Sequence, residues 1–373
     1  MSFSLPEGWS GRTLAGLRAK LLNWFDKHKR DLPWRKNRDA YHIWVSEVML
    51  QQTTVAAVVS HFERFMTALP TVEALAAADE QRVLKRWEGL GYYRRARYLH
   101  AAAKVLVKDH GGQLPDDPQV WAKLPGVGRY IVGAVLSQAF DRRLPIVEAN
   151  SQRVLSRLFG YRGDPREGEG KKWVWSAAEE ILPEKRAGDF NQALMELGAL
   201  VCTPVSPQCD KCPLSGNCLA KRGGLQNEIP PKKKAPAITA VSEVGVVIRD
   251  GKKILLCQRP ANASRWQNMW EVPHAERAED EDVAEAAVRL AKELTGFDVE
   301  IGAEVMTIKH SVTRYAITLV CMEATLTGGK FAPGAYAKAK WVTPAKLADY
   351  PVSSPQRKLM TALANPSRQR RLF

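Results

Sequence analysis

Between residues 10 and 200 the apolar positions recur at helical spacing. Leu14, Leu17, Leu21, Leu22 and Phe25 fall on one stripe, Val55, Val58, Val59 and Phe62 on a second, and Ile131, Val135 and Leu136 on a third. Recurrence at three and four residues is the mark of a helix that buries one face. Leu69-Pro70, Gly111-Gly112 and Gly163-Asp164-Pro165 punctuate the runs with residues that break helices. This part of the chain is predicted to be mainly α. The pattern lapses from Leu225 to Ala237, where Pro230, Pro231, Lys232, Lys233, Lys234 and Pro236 predict a semi-extended linker. Beyond it the period changes. Val244 to Ile248 and Ile254 to Cys257 are short β-rich runs around a turn at Asp250-Gly251, Ala284 to Leu294 is helical, and Tyr315 to Met322 and Lys340 to Val342 are strands. The second part is predicted to be α+β. The expected organisation is a helical domain over 1–224, a linker over 225–238 and an α+β domain over 239–373.

The chain has 373 residues, 45% of them hydrophobic, enough for two cores. A formal net charge of +15 calls for a polyanionic partner. The absence of a long apolar span or a basic amphipathic anchor favours nucleic acid over a membrane. With no signal peptide or lipidation motif evident at the N-terminus, the expected location is the cytoplasm, or the nucleus of a eukaryote.

The densest chemistry lies in Cys202, Cys209, Cys212 and Cys218, separated by six, two and five residues. Four thiolates in one loop with no histidine suit an iron–sulfur cluster or zinc, and the spacing alone does not choose. Six cysteines in a chain without a secretion signal argue against a disulfide framework. Cys257 and Cys321, in predicted strands, are expected as buried free thiols. Upstream, Leu124-Pro125-Gly126-Val127-Gly128-Arg129-Tyr130 joins a helical piece starting near Pro118 to the apolar run Ile131 to Phe140. Gly126 and Gly128 let backbone N–H groups approach a ligand, and the second helix starts there with its positive dipole end. Such a hairpin can hold a DNA phosphate without reading sequence.

The glycine hairpin and the cysteine loop downstream resemble the endonuclease III superfamily of helix-hairpin-helix DNA glycosylases. Further segments resemble its MutY family of adenine DNA glycosylases: Leu32-Pro33-Trp34-Arg35, Trp44 to Thr53, Gly89-Leu90-Gly91-Tyr92-Tyr93 and Leu197 to Thr203. The resemblance covers nearly the whole chain and is looser beyond residue 225. It implies a structural or redox-tuning [4Fe-4S] cluster on Cys202, Cys209, Cys212 and Cys218. It implies Glu47 as the acid that protonates an extruded adenine, whose apolar helix would raise its pKa. Asn150 would support a second carboxylate. Arg35 and Gln192 would meet the adenine, with Gln192 reading its amino edge. Trp34 and Leu50 would wall the pocket. Gln52, beside Thr53, and Tyr92 would insert near the orphaned partner base. Arg94, Arg95 and Arg97 are candidates for phosphates.

Three departures matter. Val147-Glu148-Ala149-Asn150 stands where the family has Asp-Gly-Asn. Glu148 keeps a charge for the sugar cation on a longer arm, and Ala149 would be strained if that position needed positive φ. Tyr130 replaces the lysine of bifunctional relatives. It cannot form a Schiff base, predicting a monofunctional enzyme, and its phenol could bond a carboxylate such as Glu148. The second domain resembles a Nudix fold, but Leu290 and Leu294 occupy two of three magnesium-binding glutamate positions and only Glu293 remains. It is therefore expected to bind rather than hydrolyse. Val312, Thr313 and Arg314 fill the family's lesion-reading loop, with Thr313 and Arg314 facing 8-oxoguanine. The expected partner is double-stranded DNA carrying adenine opposite 8-oxoguanine or guanine, met by a monomer. The competing expectations are a non-catalytic mismatch sensor and an endonuclease III-type lyase on oxidised pyrimidines.

Overall fold

The computed structural model describes residues 3–233 and 237–365. Lys234 and Pro236 of the expected linker lie outside the described residues. The helices run α1 (Gly11–His28), α2 (Ala40–Leu50), α3 (Val55–Ala68), α4 (Val72–Ala77), α5 (Glu80–Arg86), α6 (Arg94–His110), α7 (Pro118–Lys123), α8 (Arg129–Phe140), α9 (Ala149–Leu158), α10 (Gly168–Ile181), α11 (Ala187–Leu200) and α12 (Leu219–Arg222). There follow β1 (Thr239–Asp250), β2 (Lys253–Gln258), β3 (Trp270–Glu271), β4 (His274–Glu276), α13 (Val283–Thr295), β5 (Phe297–Val312), β6 (Tyr315–Gly329), β7 (Lys338–Val342) and α14 (Ser354–Ala364).

Two compact units result. The first gathers residues 3–76 and 101–233, and the second gathers 77–100 with 237–365. The core of the first is built where α1, α9, α10 and α11 meet: Leu17, Leu21 and Phe25 pack with Leu155, Leu158, Phe190, Leu194 and Leu197. Helix α2 is buried nearly all round, from Tyr41 to Met49, and starts at Asp39, whose side chain accepts from the N–H groups of Tyr41 and His42. It packs against α8, another apolar helix, which begins at the Gly126–Gly128 hairpin. The predicted linker is shorter than its composition suggests. Ile229 is buried, its carbonyl accepts from Arg157 Nε at 2.8 Å, and Pro231 O accepts from Arg166 Nη2 at 2.8 Å. Two arginines satisfy carbonyls that a proline-rich segment leaves without partners, so the stretch from Leu225 to Pro231 is held on the first unit.

The second unit is a mixed sheet ordered β3-β2-β1-β6-β5, with β4 on β1 and β7 on β2. Strand alternation divides its core in two. Val244, Val246, Ile248, Leu255 and Cys257 face Ala287 and Leu290 of α13, while Val247, Ile254, Leu256, Leu319 and Cys321 face Leu359, Met360 and Leu363 of α14. Cys257 and Cys321 are buried free thiols, as expected. Leu290 is 2% exposed, so the residue in place of a magnesium-binding glutamate serves as core. Glu293 pairs instead with Arg289, 2.9 Å away. The segment from Ala77 to His100, expected within the helical domain, belongs to this second unit. Trp270 Nε1 donates to Gln81 Oε1 at 2.9 Å, Tyr93 OH donates to Val352 O at 3.0 Å, and Arg357 donates to both carboxylate oxygens of Glu88.

Candidate active site

Glu47 lies on the inner face of α2 and is 4% exposed. Its Oε1 accepts from Gln138 Nε2 at 2.8 Å, and its Oε2 accepts from the Tyr130 hydroxyl. Both partners project from α8. Burial pushes the Glu47 carboxyl above the ordinary carboxylate range, against the opposing pull of the Tyr130 and Gln138 bonds and the Arg35 charge. A phenol can donate or accept, so this pair of groups can carry a proton between them without leaving either oxygen unsatisfied. The expectation for Tyr130 is thereby corrected: its hydroxyl bonds Glu47, not Glu148. Glu148 lies at the start of a different helix, where its oxygens are taken by local N–H donors.

Glu148 is the N-cap of α9. Its Oε1 accepts from Ser151 N and its Oε2 from Asn150 N, each at 2.8 Å, and Asn150 Nδ2 adds a bond at 3.2 Å. Ala149 is the first helical residue and is not among the positive-φ positions. Alanine in place of glycine therefore costs no backbone strain. The longer Glu148 side chain reaches forward as a capping carboxylate, and Ser151 Oγ reaches back to accept from Glu148 N at 2.8 Å. Burial raises its pKa. The Asn150 and Ser151 N–H groups and the charge of Arg153 oppose this, and the charge of Glu47 adds to it. Those donors favour the ionised form, as the Tyr130 and Gln138 donors do at Glu47, and burial raises both carboxyls against them.

Asn150 is held in turn. Arg153 Nη2 donates to Asn150 Oδ1 and to Gly198 O, both at 2.8 Å, and Arg153 Nε donates to Cys202 O at 2.7 Å. A Cβ on Gly198 would come within 2.5 Å of Asn150 Cβ. The Leu197-Gly198 pair of the sequence is therefore a close crossing of α11 over the start of α9. Gly198→Ala is expected to displace Asn150 and lower the single-turnover rate by about 100-fold, the scale on which small misplacements act. Thermal melting should show a loss of about 1–3 kcal/mol from overpacking.

A cavity of about 220 Å³ lies in the first unit, lined among others by Phe25, Trp34, Arg35, Gln138, Asp189 and Gln192. Arg35 Nε donates to Gln192 Oε1 at 2.8 Å, and Arg35 Nη2 donates to Glu196 Oε2 at 3.0 Å. Burial alone would raise the Glu196 carboxyl, but its bonds from Arg30 and Arg35 prevail and hold it at about 2. The sequence reading brings Trp34, Arg35 and Gln192 to this cavity but does not bring Leu50, which is not among its lining residues. It misses Gln138, Arg153 and Glu196. Gln138 and Glu196 are polar residues inside apolar helical runs, a signal that a buried partner must exist, whereas Arg153 lies in a polar helix and gives no such signal.

Gly126 has φ of +72°, the left-handed region, and Gly128 caps α8 with no side-chain hydrogen bond. A Cβ at Gly128 would meet nothing within 4 Å. Gln52 and Tyr92 both hold positive φ, of 60° and 45°, which non-glycine residues rarely adopt. Tyr92 is 53% exposed. Thr53 follows Gln52, and its N–H donates to Leu50 O at 3.3 Å. Arg95 is corrected as a phosphate candidate. Its Nη2 donates to Leu90 O at 3.1 Å, and its guanidinium lies over the Trp87 and Tyr92 rings, so it braces the loop from below. Arg97 is half-buried, which lowers its pKa. Arg94 stays exposed with its cation over Tyr98. In the second unit Thr313 and Arg314 form the exposed two-residue tip between β5 and β6. Thr313 has φ of +54° and its hydroxyl donates to Val312 O at 2.7 Å. The Arg314 guanidinium lies 5.2 Å from the Tyr315 ring centre.

Cys202, Cys209, Cys212 and Cys218 surround one small void of about 30 Å³ with Arg157, Lys221 and Gln226. All four are free thiols. No set of three or more His, Cys, Asp or Glu side chains among the described residues closes on a single ion. Arg157 Nη1 donates to Cys202 Sγ at 3.4 Å, and the Gln226 Oε1 atom is buried with no partner. Four thiols around one void, with an N–H donor on Cys202 Sγ, are a donor set that suits an iron–sulfur cluster or zinc.

Residues 45–180 match the family description "HhH-GPD superfamily base excision DNA repair protein", and residues 243–362 match "NUDIX domain". The adenine DNA glycosylase of Homo sapiens is 31% identical over 93% of this chain and 73% of its own length. That of Buchnera aphidicola subsp. Schizaphis graminum is 34% identical over 68% of this chain and 73% of its own. Among solved structures, a thermostable thymine-DNA glycosylase is 30% identical with a TM-score of 0.51, covering 57% of this chain and 98% of that one. A non-covalent endonuclease III–DNA complex shares the fold at a TM-score of 0.50 and 22% identity, over 58% of this chain and 99% of that one. A helical hairpin unit with a buried acid, joined to a Nudix-like unit and matched along most of its length by these relatives, makes the chain a member of the adenine DNA glycosylase family, an N-glycosylase of base-excision repair.

Proposed function

We propose that this glycosylase is monofunctional and removes adenine mispaired with 8-oxoguanine or guanine in double-stranded DNA. The observation that carries the mechanism is Glu47, buried between Tyr130 and Gln138, with Glu148 capping α9 nearby. The adenine leaves the stack, since the bond to its sugar is inaccessible within the duplex. It enters the cavity beside Trp34, Arg35 and Gln192. Glu47 gives its proton to the imidazole ring of the base, making it a neutral leaving group. The C–N bond breaks and the electron pair goes to the base. The sugar cation forms near Glu148, whose carboxylate stabilises it without moving. Water then adds to the sugar, loses a proton, and leaves an abasic site.

Gln52 and Tyr92 serve as wedges, each set on a positive-φ backbone. The N–H groups after Gly126 and Gly128 grip a phosphate. Thr313 and Arg314 face the oxidised partner base. Cys202, Cys209, Cys212 and Cys218 hold one [4Fe-4S] cluster, which when bound ties four points of the loop together. Arg153 links this loop, through the Cys202 carbonyl, to Asn150. No described helix is long and apolar enough to cross a membrane.

The test is single-turnover release from duplexes with adenine opposite 8-oxoguanine, guanine or thymine. Release is expected from the first two and is expected to yield abasic sites cleaved only after alkali. Efficient borohydride trapping of a covalent complex would contradict it, because Tyr130 offers no amine. Protein purified anaerobically is expected to be brown with iron near four atoms per chain. Cys212→Ser should lose the colour and the iron together. Stoichiometric zinc instead would defeat the cluster assignment.

A further inference from the structure

The orientation of the Gln192 amide has a cause two residues away from the base. Glu196 is 1% exposed on α11, one turn beyond Gln192. Its Oε1 accepts from Arg30 N at 2.9 Å and Arg30 Nε at 2.8 Å. Its Oε2 accepts from Arg30 Nη2 at 2.9 Å and from Arg35 Nη2 at 3.0 Å. Arg35 is further fixed by donating Nη1 to Arg30 O at 3.1 Å, with its cation 5.6 Å from the Phe25 ring centre. Its guanidinium therefore has one orientation, and Nε faces Gln192 at 2.8 Å. A guanidinium N–H can only donate, so the amide atom it meets must be the oxygen. The NH₂ group of Gln192 is then turned away from Arg35. Gln192 lines the base cavity with Trp34, Arg35 and Gln138.

We propose that Glu196 is a positioning residue that sets base specificity: by locking Arg35 it makes Gln192 present its NH₂ to the cavity and read a ring nitrogen of adenine. This deepens the proposed adenine-removing function and rests on it. It assigns the Gln192 NH₂ a reading role beside the amino-edge role expected of its oxygen, which already accepts one bond from Arg35. A base with a C–H where adenine has the acceptor nitrogen would leave that N–H without a partner. Without Glu196, Arg35 loses the anion that holds its Nη2, and the amide is free to flip. Discrimination at that edge then disappears even if the chemistry persists.

The experiment is single-turnover release from duplexes carrying adenine, 1-deazaadenine or 3-deazaadenine opposite 8-oxoguanine. Intrinsic differences in bond lability cancel when each variant is compared with wild type. Wild type is expected to favour adenine over one analogue by about 10-fold or more, since a site built to bond a group rejects the analogue lacking it. Glu196→Gln should bring that preference to within about 2-fold of the preference shown by Gln192→Met, and Glu196→Asp should keep most of it. Equal slowing of all three substrates by Glu196→Gln would mean a merely structural role and overturn the proposal, as would a wild type with no preference between adenine and either analogue. Circular dichroism reports whether Glu196→Gln folds. If it does not, Arg35→Lys is read in its place, because a lysine can pair with Glu196 but has no second N–H arm for Gln192. The same collapse is expected there, and an unchanged preference overturns the proposal. Failure of wild type to release adenine at all would instead refute the underlying adenine-removal reading.

Discussion

Glu47→Gln is expected to slow adenine release in single turnover by about 10²–10⁴-fold, the range that general acids contribute, while duplex affinity changes little. The amide is nearly the same size as the acid. It can still accept from Tyr130 through its oxygen, although its NH₂ then faces the Gln138 amide, which can flip to accommodate it. The packing of α2 is retained and only the transferable proton is lost. The pH profile gives an independent check. Burial raises the Glu47 pKa, so the protonated acid persists to higher pH than an exposed glutamate would allow. Wild-type rate should fall as pH rises through that raised value, and the residual rate of Glu47→Gln should lack this limb. A comparable rate for the variant would place the acid elsewhere.

Glu148→Gln is expected to lose about 10²–10³-fold in rate, the effect of removing one preorganised electrostatic partner. Part of the change will be in stability. Glu148 caps α9, and a weakened N-cap costs about 1 kcal/mol. Glu148→Asp separates the two roles. Aspartate is a good N-cap and keeps the charge, so stability should hold and the rate should remain within about tenfold of wild type, an estimate bounded by the penalty for small misplacement. Ala149 does not stand in the way, because its backbone is helical. A mismatch sensor would behave otherwise: wild type and Glu148→Gln would bind the lesion duplex alike and release adenine equally slowly. Equal rates would remove Glu148 from the catalytic machinery regardless of the result at Glu47.

The elements were legible in the chain where the burial period was simple. The stripe of α1 announces itself because one face meets a core, and α8, β1 and β2 do so as apolar runs buried on both faces and bounded by turn residues. Strand β5 was missed because glycine and charge interrupt it and much of it is exposed. The site was legible where residue types are rare in their setting, as with Glu47 in an apolar helix or the four cysteines. Partnership was not. That Tyr130 bonds Glu47 rather than Glu148 depends on how α8 lies along α2, and Glu148 as a cap emerges only once the start of α9 is known. Arg95 reads as a surface cation in a row of arginines, yet burial and the ring of Trp87 turn it inward.

The placement of residues 77–100 within the second unit bears on how this protein can be taken apart. Gln81, Glu88 and Tyr93 each bond that unit's own chain, at Trp270, Arg357 and Val352. A gene cut between residues 224 and 239 would not deliver two independent modules. The shorter product would lack the partner of the Trp270 indole and leave Arg357 without its carboxylate, while the longer one would carry an orphaned segment. Grafting the Nudix-like module onto another glycosylase would require transplanting this segment with it. Tyr92 would then travel with the Thr313–Arg314 tip, so the proposed wedge and the proposed lesion-facing hairpin form one transferable cassette despite the long stretch of chain between them.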